Sequence, residues 1–262
     1  MIISAGEKTI FFTLKRDNKK RYLQKYFLLF FLLVLIISST ACQDRLFDNP
    51  FDPQAGEAVF EVVNTIVTPA FIPLGLSWDG STLWNVDGYS ETLYSLNKLN
   101  GAQVRSFTSP LQVTSGVAYD GFDLWVCSES SVDIYKINIL NGRIQKRLNL
   151  QKGMFTALEF ALGHLWLADA LSNRIVEIDP DTAEIVSSFP NPGIAVDGLA
   201  FDGGSLWLAD STTLSIFQIT LEGKVLRTFL APGQSPRGLA YDGLYLWNAD
   251  GSQRIYQLRF QN

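Results

Sequence analysis

The sequence predicts an all-β fold, a five-bladed β-propeller of four-stranded antiparallel blades, and three observations predict it. A phrase of one form recurs as "GLSWDGSTLW" at 75–84, "GVAYDGFDLW" at 116–125, "GLAFDGGSLW" at 198–207 and "GLAYDGLYLW" at 238–247, with a looser copy, "ALEFALGHLW", at 157–166. Its tryptophans stand at 84, 125, 166, 207 and 247, intervals of 41, 41, 41 and 40 residues. Within every interval, short β-prone runs alternate with turn residues, which is the pattern of a small sheet rather than of helices.

Each unit reads in the same order. The first strand, "GLAYD" and its variants, ends at an Asp-Gly pair (79, 120, 202 and 242) suited to a tight hairpin. The second, "LWLAD" and its variants, ends at Asp87, Asp169, Asp210 or Asp250, with Ser128 in the remaining copy. The third is "LYSLN" (93–97), "IYKIN" (134–138), "IVEID" (175–179), "IFQIT" (216–220) or "IYQLR" (255–259). A turn at Asn100-Gly101, Asn141-Gly142, Asp181-Thr182 or Glu222-Gly223 leads into the fourth, which ends at Phe107, Leu148, Phe189 or Phe229.

The fifth unit reaches Asn262 with no fourth strand of its own. In the four internal junctions the last apolar residue of strand four lies nine positions before the next unit, and Ile66, the end of "VVNTI", lies nine before Gly75. The N-terminal strand is therefore expected to complete the last blade, closing the ring and removing two exposed sheet edges. A twisted blade cannot bury its faces alone, so the repeated residues read as packing: Gly or Ala on the crowded inner strand, and Trp against a neighbouring blade.

Ahead of the repeats, residues 1–41 hold seven of the 21 Lys and Arg and two of the 26 acids, then the apolar run Phe27–Ile37, then "SSTAC". Cations, a short apolar core and small residues read as a secretory signal, and eleven apolar residues are few for a bilayer span. "STAC" resembles a bacterial lipoprotein box, which implies signal removal and lipidation at Cys42, although Ser39 stands where such boxes usually carry an aliphatic residue. An uncleaved signal anchor is the alternative. The expected organisation is signal 1–41, a polar Pro-bearing tether 42–57 and the propeller 58–262, held by lipid at a bacterial cell envelope, on the periplasmic side or the outer surface.

Past residue 41 there are 14 basic and 24 acidic residues. Such a body repels phosphate backbones, so nucleic acid is not an expected partner. With Cys42 lipidated only Cys127 remains, at a position that is Ala168, Ala209 and Ala249 in other copies, and it reads as a small buried thiol.

Because the repeat encodes packing, residues that break it where loops share one face are the site candidates. Before each unit stand Leu74, Ser115, Thr156, Asp197 and Arg237. Asp197 and Arg237, on consecutive blades at one depth, are expected to pair across the channel mouth, as an ordinary surface ion pair or as a ligand contact. The four aspartates ending strand two could suggest a cation, but Asp at a turn commonly accepts its own loop's N–H groups, so no metal is expected. Glu159 stands where the other copies have Ser77, Ala118, Ala200 and Ala240; an inner-strand carboxylate needs a partner or a function. His164, the only histidine, falls at a turn, which leaves no Ser-His-Asp triad or multi-His site. No Walker loop, dinucleotide fingerprint or paired-cysteine zinc spacing occurs, so no cofactor is expected.

Blade three, "ALEFALGHLWLADALSNRIVEIDPDTAEIV", resembles the plant and bacterial glutamine cyclotransferase family, matching its middle pattern at Leu158, Glu159, Gly163, Trp166, Ile175, Ile178, Asp179 and Pro180. "VDGLAFDGGSLWLAD" at 196–210 is similar to that family's next blade, and the likeness spans about residues 58–262, part of it shared with YVTN and NHL repeat propellers. The resemblance implies a five-bladed propeller and cyclisation of an N-terminal glutamine. The sequence departs from the family where Asn85 replaces a Glu, Ala168 an Asn, and Ser211 or a neighbour a Lys. The leading expectation is thus a binding or scaffold module for a protein, peptide or glycan, with ligand contacts at Thr156, Glu159, Asp197 and Arg237. The alternative is a cyclotransferase-like enzyme using Glu159, Asp169 and Asp197.

Overall fold

The computed structural model describes residues 59–260; the expected signal, Cys42 and the whole of the tether lie outside them. The chain opens with β1 (Phe60–Val67) and then lays down four blades in order. Blade 1 is β2 (Pro73–Trp78), β3 (Leu83–Asp87), β4 (Thr92–Leu96) and β5 (Gln103–Thr108). Blade 2 is β6 (Thr114–Tyr119), β7 (Leu124–Ser128), β8 (Ser131–Ile137) and β9 (Ile144–Asn149). Blade 3 is β10 (Phe155–Ala161), β11 (His164–Asp169), β12 (Arg174–Ile178) and β13 (Ile185–Pro190). Blade 4 is β14 (Val196–Phe201), β15 (Leu206–Asp210), β16 (Ser215–Ile219) and β17 (Val225–Leu230). Blade 5 holds β18 (Pro236–Tyr241), β19 (Leu246–Asp250) and β20 (Arg254–Phe260), and its sheet order, β1-β20-β19-β18, puts the N-terminal strand on the outside.

Closure follows the spacing read from the sequence. β1 runs antiparallel to β20 with Ile66 opposite Ile255 and Val62 opposite Leu258. Phe60, at the start of β1, stacks on Phe229 of blade 4 at 4.3 Å, so the closing strand also seals the junction beside it.

Five apolar layers, one per junction, hold the blades together. Trp84 packs among Val117 and Leu124 of blade 2, Trp125 among Leu158 and Leu165 of blade 3, Trp166 among Leu199 and Leu206 of blade 4. Trp207 and Trp247 continue the ring against blades 5 and 1. Around the axis the inner strands approach until a methyl group on Gly198 or Gly238 would collide with the carbonyl oxygen of Arg237 or Leu74. Glycine is required there by proximity. These glycines, Ala157 and the leucines beside them close the channel to water.

The Asp-Gly hairpins turn out to serve the tryptophans as well. Asp79 Oδ1 accepts the N–H groups of Ser81 and Thr82, while Oδ2 accepts the Trp84 indole N–H at 2.8 Å. Asp120, Asp202 and Asp242 accept from Trp125, Trp207 and Trp247 at 2.8, 2.8 and 3.0 Å. Blade 3 has Ala161 at this place, and the buried Trp166 Nε1 has no acceptor among the described residues. Its hairpin differs too: Leu162 and Gly163 both take positive φ, 54° and 86°, which is the two-residue type I′ turn.

Candidate functional site

Strand polarity gathers the loops before each inner strand and those after each second strand on one face. The aspartates that end the second strands join the two sets. Asp87 Oδ1 accepts from Ile72 and Tyr89, Asp169 Oδ1 from Met154 and Leu171, and Asp250 from Ser235 and Ser252. Asp169 Oδ2 also accepts the Ser172 hydroxyl at 2.6 Å. For Asp87, the loss of water around the carboxyl is outweighed by these donors, which hold it below its ordinary value. Among the described residues no group of three or more His, Cys, Asp or Glu is placed to hold a metal ion.

Four of the positions just before the repeat phrase tie blades 2 to 5 together in order. The Ser115 hydroxyl donates to the Phe155 carbonyl at 2.6 Å and Thr156 to the Val196 carbonyl. Asp197 and Arg237 form the expected pair, Nη1 to Oδ2 at 3.0 Å. The same device thus changes from hydroxyl–carbonyl latches to an ion pair between blades 4 and 5.

Thr156, Asp169, Asp197 and Arg237 line one pocket of about 290 Å³, together with Glu129, Arg174 and Ser211. Burial pushes the Asp197 carboxyl up, and nearby Asp210 adds to this, while Ser211 and Arg237 pull the other way. Burial likewise raises Glu129, followed by repulsion from Asp197, with Arg237 opposing. Glu129 has no ion pair or side-chain hydrogen bond among the described residues. Sequence reasoning did not single it out, although a signal was present: the equivalent loop residues are Gly88, Ala170, Ser211 and Gly251, so Glu129 alone is charged there.

Glu159 lies apart from that pocket. It sits opposite Trp166 on β10, and burial pushes its carboxyl up to about 8, although the residue as a whole keeps some exposure. No ion pair among the described residues includes it. His164 pairs with Glu177 at 2.8 Å on the surface of blade 3. Asn85, where the cyclotransferase family has an acid, accepts from Thr68 at 2.7 Å and donates to the Gly75 carbonyl at 3.0 Å, fully buried. Cys127 is buried, which pushes its thiol up to about 12 and keeps it protonated.

No family model and no curated protein matches the chain. Solved structures do. A glutaminyl cyclase from Myxococcus xanthus is similar with a TM-score of 0.69 and 15% identity, over 78% of this chain and 97% of that one. The β-propeller domain of Cps50 (Swd1) from Myceliophteria thermophila is similar at 0.50 and 8% identity, over 76% and 99%. A virginiamycin B lyase from Staphylococcus aureus aligns at 0.48 and 19% identity, over 71% and 65%. At such identities the likeness is one of fold.

Proposed function

We propose that this propeller is a binding module whose loop-face pocket receives the amino-bearing end of a peptide, at a bacterial envelope to which a lipid on Cys42 tethers it. The observation that carries the reading is the trio Glu129, Asp197 and Arg237. The pocket of about 290 Å³ holds three carboxylates and two guanidinium groups; Asp169 is engaged by its turn, Arg174 by Ser188 and Arg237 by Asp197 at 3.0 Å, which leaves Glu129 without a partner among the described residues. The surplus carboxylate on Glu129 complements an ammonium group, which would relieve the repulsion that Asp197 imposes on it. β1 begins at Phe60 opposite Phe260, the end of β20 remote from the pocket face.

The test compares a short peptide carrying a free amino terminus with its acetylated form by equilibrium dialysis. Acetylation is expected to weaken binding tenfold or more, and Glu129→Gln to reduce that discrimination. Equal binding of the two peptides would sink the proposal.

A second reading, an enzyme like the glutaminyl cyclases, is favoured by the shared fold and by two carboxyls raised toward neutrality. In that reaction a substrate α-amine attacks its own side-chain amide carbon, a ring C–N bond forms, and ammonia leaves after a proton is passed to it. Glu129 and Asp197 stand where they could take and return that proton. Asp169 is occupied by its turn and Glu159 lies outside the pocket. Ammonia release from a Gln-initiated peptide, lost in a Glu129→Gln, Asp197→Asn double variant, is the expected result on this reading. No release above that variant eliminates it.

A further inference from the structure

One junction of the ring is underfilled. Four blades carry an aromatic ring at the centre of the third strand, Tyr94, Tyr135, Phe217 and Tyr256, each packed against the layer shared with the preceding blade. In blade 3 the equivalent residue is Val176, in the layer between blades 2 and 3. The volume that a ring fills elsewhere is here part of a cavity of about 300 Å³, walled by Leu150, Phe155, Val176, Ile178, Ala183 and Ile185. It is open to solvent on the side of Lys152, Ser172 and Ile185, which are exposed, and closed by Phe155, Val176 and Ile178, which are buried.

The cavity adjoins the candidate site. Asp169 and Arg174 line both it and the loop-face pocket. Arg174 is held at that threshold by donating from Nε to Ser188 Oγ at 3.0 Å and from Nη2 to the Ser188 carbonyl at 2.7 Å. A fixed guanidinium beside an apolar slot favours an aromatic guest over an aliphatic one, because the ring's electron-rich face attracts a cation.

We infer that this slot binds an aromatic side chain of the peptide whose amino end occupies the loop-face pocket. The peptide part rests on the function proposed above, whereas the slot itself rests only on Val176 and the cavity. Val176→Tyr restores what the other blades have, so it closes the slot in a manner the fold already accommodates.

The experiment measures affinities of the full chain for the tripeptide amides Ala-Phe-Ala, Ala-Ala-Phe and Ala-Ala-Ala, and follows 4-fluorophenol binding by fluorine NMR. The expected result is that one Phe peptide binds at least tenfold tighter than Ala-Ala-Ala. In Val176→Tyr that ratio falls to about one, with Ala-Ala-Ala affinity unchanged, and fluorophenol line broadening disappears. Ala183→Leu, which narrows the opposite wall, should do the same if the tyrosine variant folds poorly. Fluorophenol binding that depends on Val176 without amine-dependent peptide binding keeps the slot and removes the peptide reading. Amine-dependent binding with no Phe preference, a preference that survives both variants, or no binding of any probe overturns the inference.

Discussion

Trp166 shows what a single missing acceptor does. Its four counterparts donate to an aspartate that also caps the adjoining hairpin, whereas Trp166 faces Ala161. An unpaired buried N–H costs about 1–3 kcal/mol, so Ala161→Asp is expected to stabilise the domain by about 1 kcal/mol, read as a higher urea midpoint. Below pH 8 Glu159 holds its proton, so the new carboxylate meets no second charge there. Glu159 sets a pH dependence of its own. Its folded value, about 8, lies above the ordinary 4.5, so the unfolded chain releases the proton first. Stability contributed by the neutral acid is present below pH 4.5 and is lost as pH rises toward 8. Glu129 and Asp197 are raised too and tilt the curve the same way. The difference between wild type and Glu159→Gln isolates the residue: urea midpoints between pH 5 and 8 should decline less in the variant. Parallel curves would contradict burial of that carboxyl.

At the scale of the element, β1 is the piece on which the ring depends. It supplies the outer edge of blade 5 and packs Phe60 against both Trp207 and Phe229, which also touch each other. Removing a buried aromatic side chain costs about 3–5 kcal/mol, so Phe60→Ala should lower stability by about 3 kcal/mol, since strand pairing with β20 remains. A change below about 1 kcal/mol in a denaturant titration would mean that closure does not rely on this contact. Blade 3 is the other informative element. It departs from the repeat at Ala157, Glu159, Ala161 and Val176 together. Ala157 adds a methyl group where the other blades have glycine, Glu159 adds a carboxyl, Ala161 removes the acceptor of Trp166 and Val176 removes a ring, and the slot and part of the pocket adjoin this blade. The first three are legible against the repeat phrase itself. Val176 is not legible in this way, because a valine in a strand looks ordinary until the aromatic rings of its four counterparts are seen filling the equivalent layers.

For the molecule as a whole, period and spacing were enough to establish five blades and the closing strand, because a repeat that must bury both faces against its neighbours writes its packing into every copy. The Asp197–Arg237 pair was legible for a related reason: equivalent positions on consecutive blades lie at one height, so two opposite charges there meet. Glu129 joins them only in three dimensions, since it comes from a different loop of a blade two positions away from Asp197 in the ring. The separation of Glu159 from the pocket was likewise decided by the fold, as strand register turns that side chain toward Trp166. Local order, period and the closing partner are properties of a chain read along its length. Which side chains share a cavity depends on how five twisted sheets lean together around an axis, and that is set by contacts between residues far apart in sequence.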